Sequence, residues 1–250
     1  MIPPAYYRSL LDKRGVTAYH ILVNALLRYN RKVKLDQYSL SEAEEVQGVV
    51  RAVHLDHPEI MFVNFWNYRI KEASPGKGII LCFHMILDRN AAESVGRTID
   101  KKAEMIAREL TPQMPEKQKY LTVAMSISAS TKYKDTNSAF WDHTAAGPVI
   151  CHSAVCEGIA KLFLLFCQRA ELSCAVIVGT LNSFPHAWNM VEIDGHRMYI
   201  DATSLLSAPP MPDLILDMVF KDRFRMKREG YAWSSSYERK ARLTPSVIPI

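Results

Sequence analysis

The fold of this chain is decided by the stretch Ser153-Ala-Val-Cys-Glu-Gly-Ile-Ala-Lys-Leu-Phe-Leu-Leu-Phe-Cys-Gln-Arg169. The pattern predicts a helix with Ser153 as its N-cap and Cys156 in its first turn. A thiol there faces unpaired N–H groups and the positive end of the helix dipole, which favour the thiolate. We therefore interpret Cys156 as a candidate nucleophile. The apolar residues recur at the spacing of a helix with one buried face, namely at Ile159, Leu162, Phe163, Phe166 and Ala170.

Two β-prone runs follow, residues 186–193 and 196–201, and they are separated by Asp194-Gly195, a strong signal for a two-residue hairpin turn. Such a turn pairs Ile193 with His196, and it therefore places Trp188 opposite Asp201 and His186 opposite Thr203. Asp201 is then a diagonal neighbour of His186, close enough for its carboxylate to accept a hydrogen bond from the imidazole. We expect residues 181–185 to form the loop that delivers His186 to the site.

Five short motifs carry a family pattern: Val155-Cys-Glu-Gly158, Ala160-Lys161, His186-Ala-Trp-Asn189, Tyr199-Ile-Asp-Ala-Thr203 and His143-Thr-Ala-Ala-Gly147. In these motifs the chain resembles the transglutaminase-like superfamily of bacterial type, over residues 116–206. Ala146 and Ile159 depart from the pattern, since many bacterial relatives carry tyrosine there. The resemblance implies an α+β fold, in which a papain-like core packs a nucleophile helix on a small antiparallel sheet.

The same resemblance implies a catalytic triad of Cys156, His186 and Asp201. The chemistry is acyl transfer through a thioester, in which the Cys156 backbone N–H and a second donor stabilise the oxyanion. Candidates for the second donor are Trp141 and Tyr133. Glu157, Gly158 and Trp188 are candidates for the substrate cleft, although packing within the hairpin is the favoured explanation for Trp188.

Three functions remain open at this point. Attack of water on the thioester makes a cysteine protease or amidase, and attack of an amine makes a protein-glutamine transglutaminase. The third is an inactive module in which the cleft only binds a peptide or glycan. In the first two the partner is a protein or peptide substrate, and the sequence does not indicate the oligomeric state.

Composition is that of an ordinary globular protein, with 48% hydrophobic and 23% charged residues. The start of the chain shows no signal-peptide pattern, and no segment approaches the ~20 apolar residues of a membrane span. Five cysteines, an odd number, favour a reducing compartment over a disulfide framework. We expect a cytoplasmic protein with no membrane partner.

The net charge of +5 is mild and indicates no nucleic-acid partner. The densest basic run, residues 221–228, is diluted by Asp222 and is typical of a solvated face. No metal or cofactor is expected, because the chain has no CxxC pair and no glycine-rich phosphate loop. Cys156 and Cys167 lie about three helical turns apart, too far for one coordination sphere.

Thr111-Pro-Gln-Met-Pro115 is the best internal boundary. It divides the chain into an accessory α/β region, residues 1–112, and a catalytic core with a C-terminal wrap, residues 113–250. Before the boundary we expect helices at 18–28, 41–57 and 91–110, and two paired strands at 60–70 and 78–87. After it we expect a helix at 116–133 and a buried strand at 174–179 in an antiparallel sheet.

Overall fold

The structure is a computed structural model that describes residues 2–36, 43–73, 78–134, 140–207 and 219–234. The chain divides into two compact units. One comprises the described residues of Ala5–Asp88 together with Ser234, and the other comprises the described residues of Arg89–Trp233 together with residues 2–4. Both units combine helices with antiparallel sheets, so the predicted α+β class is confirmed.

Among the described residues of the unit around Ala5–Asp88, two α-helices accompany a three-stranded sheet of order β1-β3-β2. Strands β2 and β3 pair antiparallel as predicted, with Val63 opposite Met85. Strand β1 was not predicted, because its four residues are too short to show a period. Ser41, the residue at which the second helix is expected to begin, lies outside the described residues. The elements are α1 (Lys13–Leu27), β1 (Lys32–Leu35), α2 (Ala43–Asp56), β2 (Val63–Glu72) and β3 (Ile79–Met85).

The unit around Arg89–Trp233 contains a five-stranded sheet of order β10-β6-β7-β8-β9, in which every pairing is antiparallel. A two-residue parallel pairing of β4 with β5 lies apart from it. The helices are α3 (Arg89–Glu109), α4 (Glu116–Ser128), α5 (Gly147–Ile150), α6 (Cys156–Arg169) and α7 (Arg223–Arg228). The strands are β4 (Lys132–Tyr133), β5 (Ser153–Ala154), β6 (Cys174–Leu181), β7 (Phe184–Ile193), β8 (His196–Ile200), β9 (Phe220–Lys221) and β10 (Tyr231–Ala232).

Helix α3 was placed on the accessory side of the boundary at residue 112, but it packs within the later unit. Asp100 in α3 forms a 2.9 Å ion pair with Arg169 at the end of α6. The compact unit accordingly begins at Arg89. The role of the earlier region as an accessory stays a prediction.

Two local predictions in this unit are wrong. The helix expected at 116–133 ends at Ser128, and Lys132–Tyr133 form β4 instead. The loop expected at 181–185 is a tight hairpin turn, because only Asn182 and Ser183 separate β6 from β7. Both residues have positive φ, 50° and 70°, which matches the right-handed twist of the two strands.

Helix α6 is the buried centre of the unit, since the side chains from Cys156 to Cys167 are all buried. It contacts the sheet at β6 and β7 and also lies against α3 and α4. A side-chain hydrogen bond fastens it to the sheet, because the Asn189 Nδ2 on β7 donates to the Ala160 carbonyl at 2.9 Å. The position of the N-terminus of α6 is therefore set by tertiary contacts as well as by helix propensity.

Gly158 permits the closest of these contacts. A Cβ at this position would collide with the carbonyl oxygen of Asp142 and would lie 2.9 Å from that of Thr144. Glycine in a helix costs about 1 kcal/mol relative to alanine, so the close approach explains why the chain carries it here.

We predict that Gly158→Ala destabilises the protein by about 3 kcal/mol, because backbone carbonyls cannot move aside as a flexible side chain would. Urea unfolding would measure this change. Gly96→Ala in α3 is the matched control, since its added Cβ would meet nothing within 4 Å. The control should instead gain about 0.5–1 kcal/mol, and equal effects at the two sites would contradict the packing explanation.

Candidate active site

The thiol of Cys156 lies at the first residue of α6, buried to 9% exposure. The N-cap is Val155, which makes no side-chain cap hydrogen bond, so the predicted cap at Ser153 is wrong. Ser153 lies in β5 and pairs with Lys132. With an apolar N-cap, the first N–H groups of the helix are not satisfied by a capping side chain and remain suited to a developing negative charge.

His186 reaches the site from β7, and Asp201 follows directly on β8. The predicted hairpin register is confirmed, because Ile193 pairs with His196 and Asn189 with Ile200. Asp194 and Gly195 both have positive φ, as a tight two-residue turn requires. The His186 Nε2 and the Asp201 Oδ2 lie 2.7 Å apart, so the diagonal neighbours are hydrogen-bonded.

The thiol of Cys156 interacts with the same imidazole and helps to raise its pKa. Since Asp201 engages Nε2, Nδ1 is the ring nitrogen that remains for the thiol. The structure thus brings the three residues that the sequence singled out into one continuous chain of contacts: thiol, imidazole and carboxylate.

Asp201 is 3% exposed and accepts hydrogen bonds at both oxygens. Its Oδ1 accepts the backbone N–H of Thr203 at 3.0 Å, and its Oδ2 accepts the Tyr231 hydroxyl at 2.7 Å in addition to His186. Sequence reasoning missed Tyr231, because nothing in its local pattern links it to a residue 30 positions earlier.

Charge at the site is set by this network. Burial alone would lower the pKa of His186, but its hydrogen bond and charge interaction with Asp201, together with its interaction with Cys156, raise it to about 10. Burial alone would raise the pKa of Asp201, but its bonds to His186, Tyr231 and Thr203 hold it below its usual value. At neutral pH the pair is therefore an imidazolium beside a carboxylate.

Glu157 and Gly158, expected in the substrate cleft, lie inside the protein. Glu157 is 8% exposed, forms an ion pair of 2.8 Å with Lys161 and is hydrogen-bonded to the His143 Nδ1 at 3.0 Å. Burial lowers the pKa of Lys161, while Glu157 opposes that shift. Gly158 faces the backbone at Asp142, so the close approach that its glycine permits is internal packing.

Trp188 is fully buried, so it packs within the protein, as the favoured explanation has it, and does not line the cleft. Its ring lies 6.1 Å from the His186 ring and 5.2 Å from the Tyr231 ring, so it packs beside the imidazole. Tyr133 is 54% exposed and pairs with Ala154, two residues before the thiol. Trp141 is half-buried in the 3₁₀ turn Phe140–His143, which contacts α6. The oxyanion roles of Trp141 and Tyr133 stay predictions.

Within the described ranges, no three His, Cys, Asp or Glu side chains are grouped so as to hold a metal ion. Nor does any helix in that part of the chain have both the length and the apolar character needed to span a bilayer. The basic run at 221–228 is ion-paired in part, since Glu229 contacts both Lys221 and Arg225.

No protein-family model and no curated protein matches the sequence. Two similar solved structures are a transglutaminase and a candidate cysteine protease from Cytophaga hutchinsonii. The transglutaminase is 15% identical, with a TM-score of 0.42 over 65% of this chain and 48% of that chain. The protease is 15% identical, with a TM-score of 0.37 over 56% of this chain and 62% of that chain. This chain thus spans about half the length of the transglutaminase and less than two thirds of the protease.

The raised pKa of His186 leads to a prediction about stability and pH. The group titrates near 6.5 when unfolded and near 10 when folded, so its contribution is complete below about pH 6.5 and is lost as pH rises through about 10. We expect the free energy of unfolding of the wild type, relative to His186→Gln, to fall by on the order of 3 kcal/mol between about pH 6 and about pH 10. Urea unfolding at the two pH values measures it.

Asp201 does not disturb this comparison. Because its pKa is lowered, its contribution to the free energy of unfolding is lost only as the pH falls into the acid range. When Asp201 is replaced by Asn, the difference in free energy of unfolding that His186→Gln causes should lose most of its pH dependence. If that difference does not change with pH when Asp201 is present, the ion pair is contradicted.

Proposed function

We propose that the protein is a cysteine-dependent acyl-transfer enzyme that acts on peptide or glutamine carboxamide groups through a thioester at Cys156. The observation that carries the proposal is the His186–Asp201 hydrogen bond, with the Cys156 thiol interacting with the same imidazole from the N-terminus of a buried helix. The motif resemblance to transglutaminase-like proteins supports the same interpretation.

In the first half-reaction, the Cys156 sulfur attacks the carbonyl carbon, and the carbonyl oxygen becomes an oxyanion. The Cys156 backbone N–H, at the positive end of α6, is placed to stabilise that charge. His186 gives its Nδ1 proton to the departing amine as the carbon–nitrogen bond breaks. The products are a thioester and free ammonia or a free amine.

In the second half-reaction, His186 takes a proton from the incoming nucleophile as that nucleophile attacks the thioester carbon. The carbon–sulfur bond breaks, and the thiolate returns to its place beside the imidazolium. Asp201 holds the orientation and tautomer of His186 through both steps. Loss of such a carboxylate lowers the rate by up to about 10⁴-fold in comparable triads.

We favour water as the nucleophile, which makes the protein a protease or amidase, because hydrolysis is what the bacterial-type resemblance implies. A primary amine as nucleophile would make it a protein-glutamine transglutaminase instead. The substrate in either case is a protein or peptide. The competing class is an inactive module that binds a peptide or glycan. In such a module the Cys156 thiol would have the reactivity of an ordinary cysteine.

The first test separates an enzyme from a binding module. We predict that His186→Ala slows iodoacetamide alkylation of Cys156 at about pH 6 by roughly 10- to 100-fold, because the imidazolium no longer stabilises the thiolate. Peptide mass spectrometry after proteolysis follows each cysteine separately. Cys151 is exposed and serves as the internal control, since its labelling should not change. Equal labelling of Cys156 in wild type and variant would rule the enzyme out.

The second test separates the two reactions. We expect that incubation with a glutamine-containing protein and a fluorescent primary amine yields new carboxyl groups or peptide termini rather than incorporated amine. Mass spectrometry distinguishes the products, and Cys156→Ala is the control that must yield neither. Amine incorporation in excess of hydrolysis would show the transglutaminase reaction.

A further inference from the structure

The segment Val219–Trp233 crosses the sheet of the later unit from one edge to the other. Its strand β9 pairs with β8, where Lys221 lies opposite Tyr199. Its strand β10 pairs with β6 at the far edge, where Tyr231 lies opposite Leu181. Helix α7 connects the two strands, and Asp222 caps it by accepting the Arg225 N–H at 2.7 Å. We call this segment the clasp, because it pairs with both outer strands of the β6-β7-β8 meander.

The clasp also holds the hairpin turn that precedes His186. The backbone N–H of Asn182 donates to the Gly230 carbonyl at 3.0 Å. Gly230 has a φ of +92°, and a Cβ there would collide with the Asn182 side chain. The position of Tyr231 is therefore fixed relative to strand β7 by a backbone contact one residue away.

Tyr231 brings one polar atom to the candidate active site. Its hydroxyl donates to the Asp201 Oδ2 at 2.7 Å, the same oxygen that accepts from the His186 Nε2 at 2.7 Å. Both Tyr231 and Asp201 are buried, at 5% and 3% exposure. In such surroundings the carboxylate depends on protein donors, since it has little access to water.

The tyrosine ring is itself held on more than one side. Trp188 lies edge-on at 5.2 Å with an interplanar angle of 77°. The Lys221 ammonium lies 5.2 Å from the ring centroid, and Lys221 is paired with Glu229 at 2.5 Å. The hydroxyl therefore reaches Asp201 from a ring with little freedom to move.

We propose that Tyr231 is a positioning residue, whose hydroxyl holds the Asp201 carboxylate in the rotation that points Oδ2 at the imidazole of His186. The inference rests on the proposed function of the triad and adds a fourth member, supplied by the clasp. Without the hydroxyl, the carboxylate keeps the Thr203 N–H on Oδ1 but loses the second restraint on its plane. His186 then loses its fixed partner, and the thiol loses a fixed imidazolium.

Tyr231→Phe tests the proposal, because it keeps the ring and its packing and removes only the hydroxyl. We expect Cys156 alkylation by iodoacetamide at about pH 6 to slow by roughly 3- to 10-fold. We also expect the pKa of His186, followed by ¹⁵N NMR of its ring, to fall from the wild-type value. Unchanged labelling together with an unchanged or raised His186 pKa would overturn the positioning role.

Tyr120→Phe is the matched control. Tyr120 is a buried tyrosine of the same unit, and its hydroxyl donates to the Ser173 carbonyl at 2.8 Å, away from the triad. Loss of the Tyr120 hydroxyl should lower the thermal midpoint about as much as Tyr231→Phe does. It should leave the alkylation rate of Cys156 and the pKa of His186 unchanged. Equal changes at the site in the two variants would mean that lost stability, rather than position, is the cause.

A second variant keeps the test independent of stability. If Tyr231 acts only through the carboxylate, adding Tyr231→Phe to Asp201→Asn should slow labelling no further, and a further slowing would overturn the proposal. The His186→Ala variant separates the two hypotheses. Normal labelling in His186→Ala removes the proposed function itself. Slow labelling in His186→Ala, with normal labelling and an unchanged or raised His186 pKa in Tyr231→Phe, removes only the role of Tyr231.

Discussion

The site depends on the burial of one carboxylate with its hydrogen bonds satisfied. Asp201 is nearly inaccessible to water, and an ionised carboxylate in that position is tolerated only with strong partners. His186, Tyr231 and the Thr203 N–H supply them. These partners come from β7, from β10 and from the turn after β8. The Asp201 carboxylate therefore has all its hydrogen bonds only when these parts of the sheet are in place.

The thiol is placed by a second set of buried polar contacts. Glu157, directly after Cys156, is paired with Lys161 one turn later and with His143 from the preceding segment. Asn189 ties the middle of α6 to β7, three residues beyond His186. Buried pairs of this kind add little net stability, but breaking one leaves an uncompensated charge. Of these contacts, Asn189 links α6 to β7, the strand that carries His186, and His143 links the first turn of α6 to the preceding segment.

Much of this could be predicted because the signals are local. The apolar spacing of residues 159–170 predicts α6, and Asp194-Gly195 predicts both the turn and the register that makes Asp201 a diagonal neighbour of His186. Other local signals were misleading. Ser153 resembles an N-cap, yet it is taken up by the pairing of β5 with β4. Residues 181–185 resemble a loop, yet only Asn182 and Ser183 lie between the two strands.

The sequence by itself determined the order of thiol, imidazole and carboxylate, the helix that carries the first and the hairpin that carries the other two. These features follow from the helical spacing of apolar residues and from the turn residues, which are signals that span only a few positions of the sequence. Only the tertiary structure decided that Glu157, Gly158 and Trp188 face the interior, and that Tyr231 completes the shell of Asp201. The reason is physical: which side chain meets a buried charge depends on how distant strands close a sheet, and residues 30 positions apart carry no local pattern that records their contact.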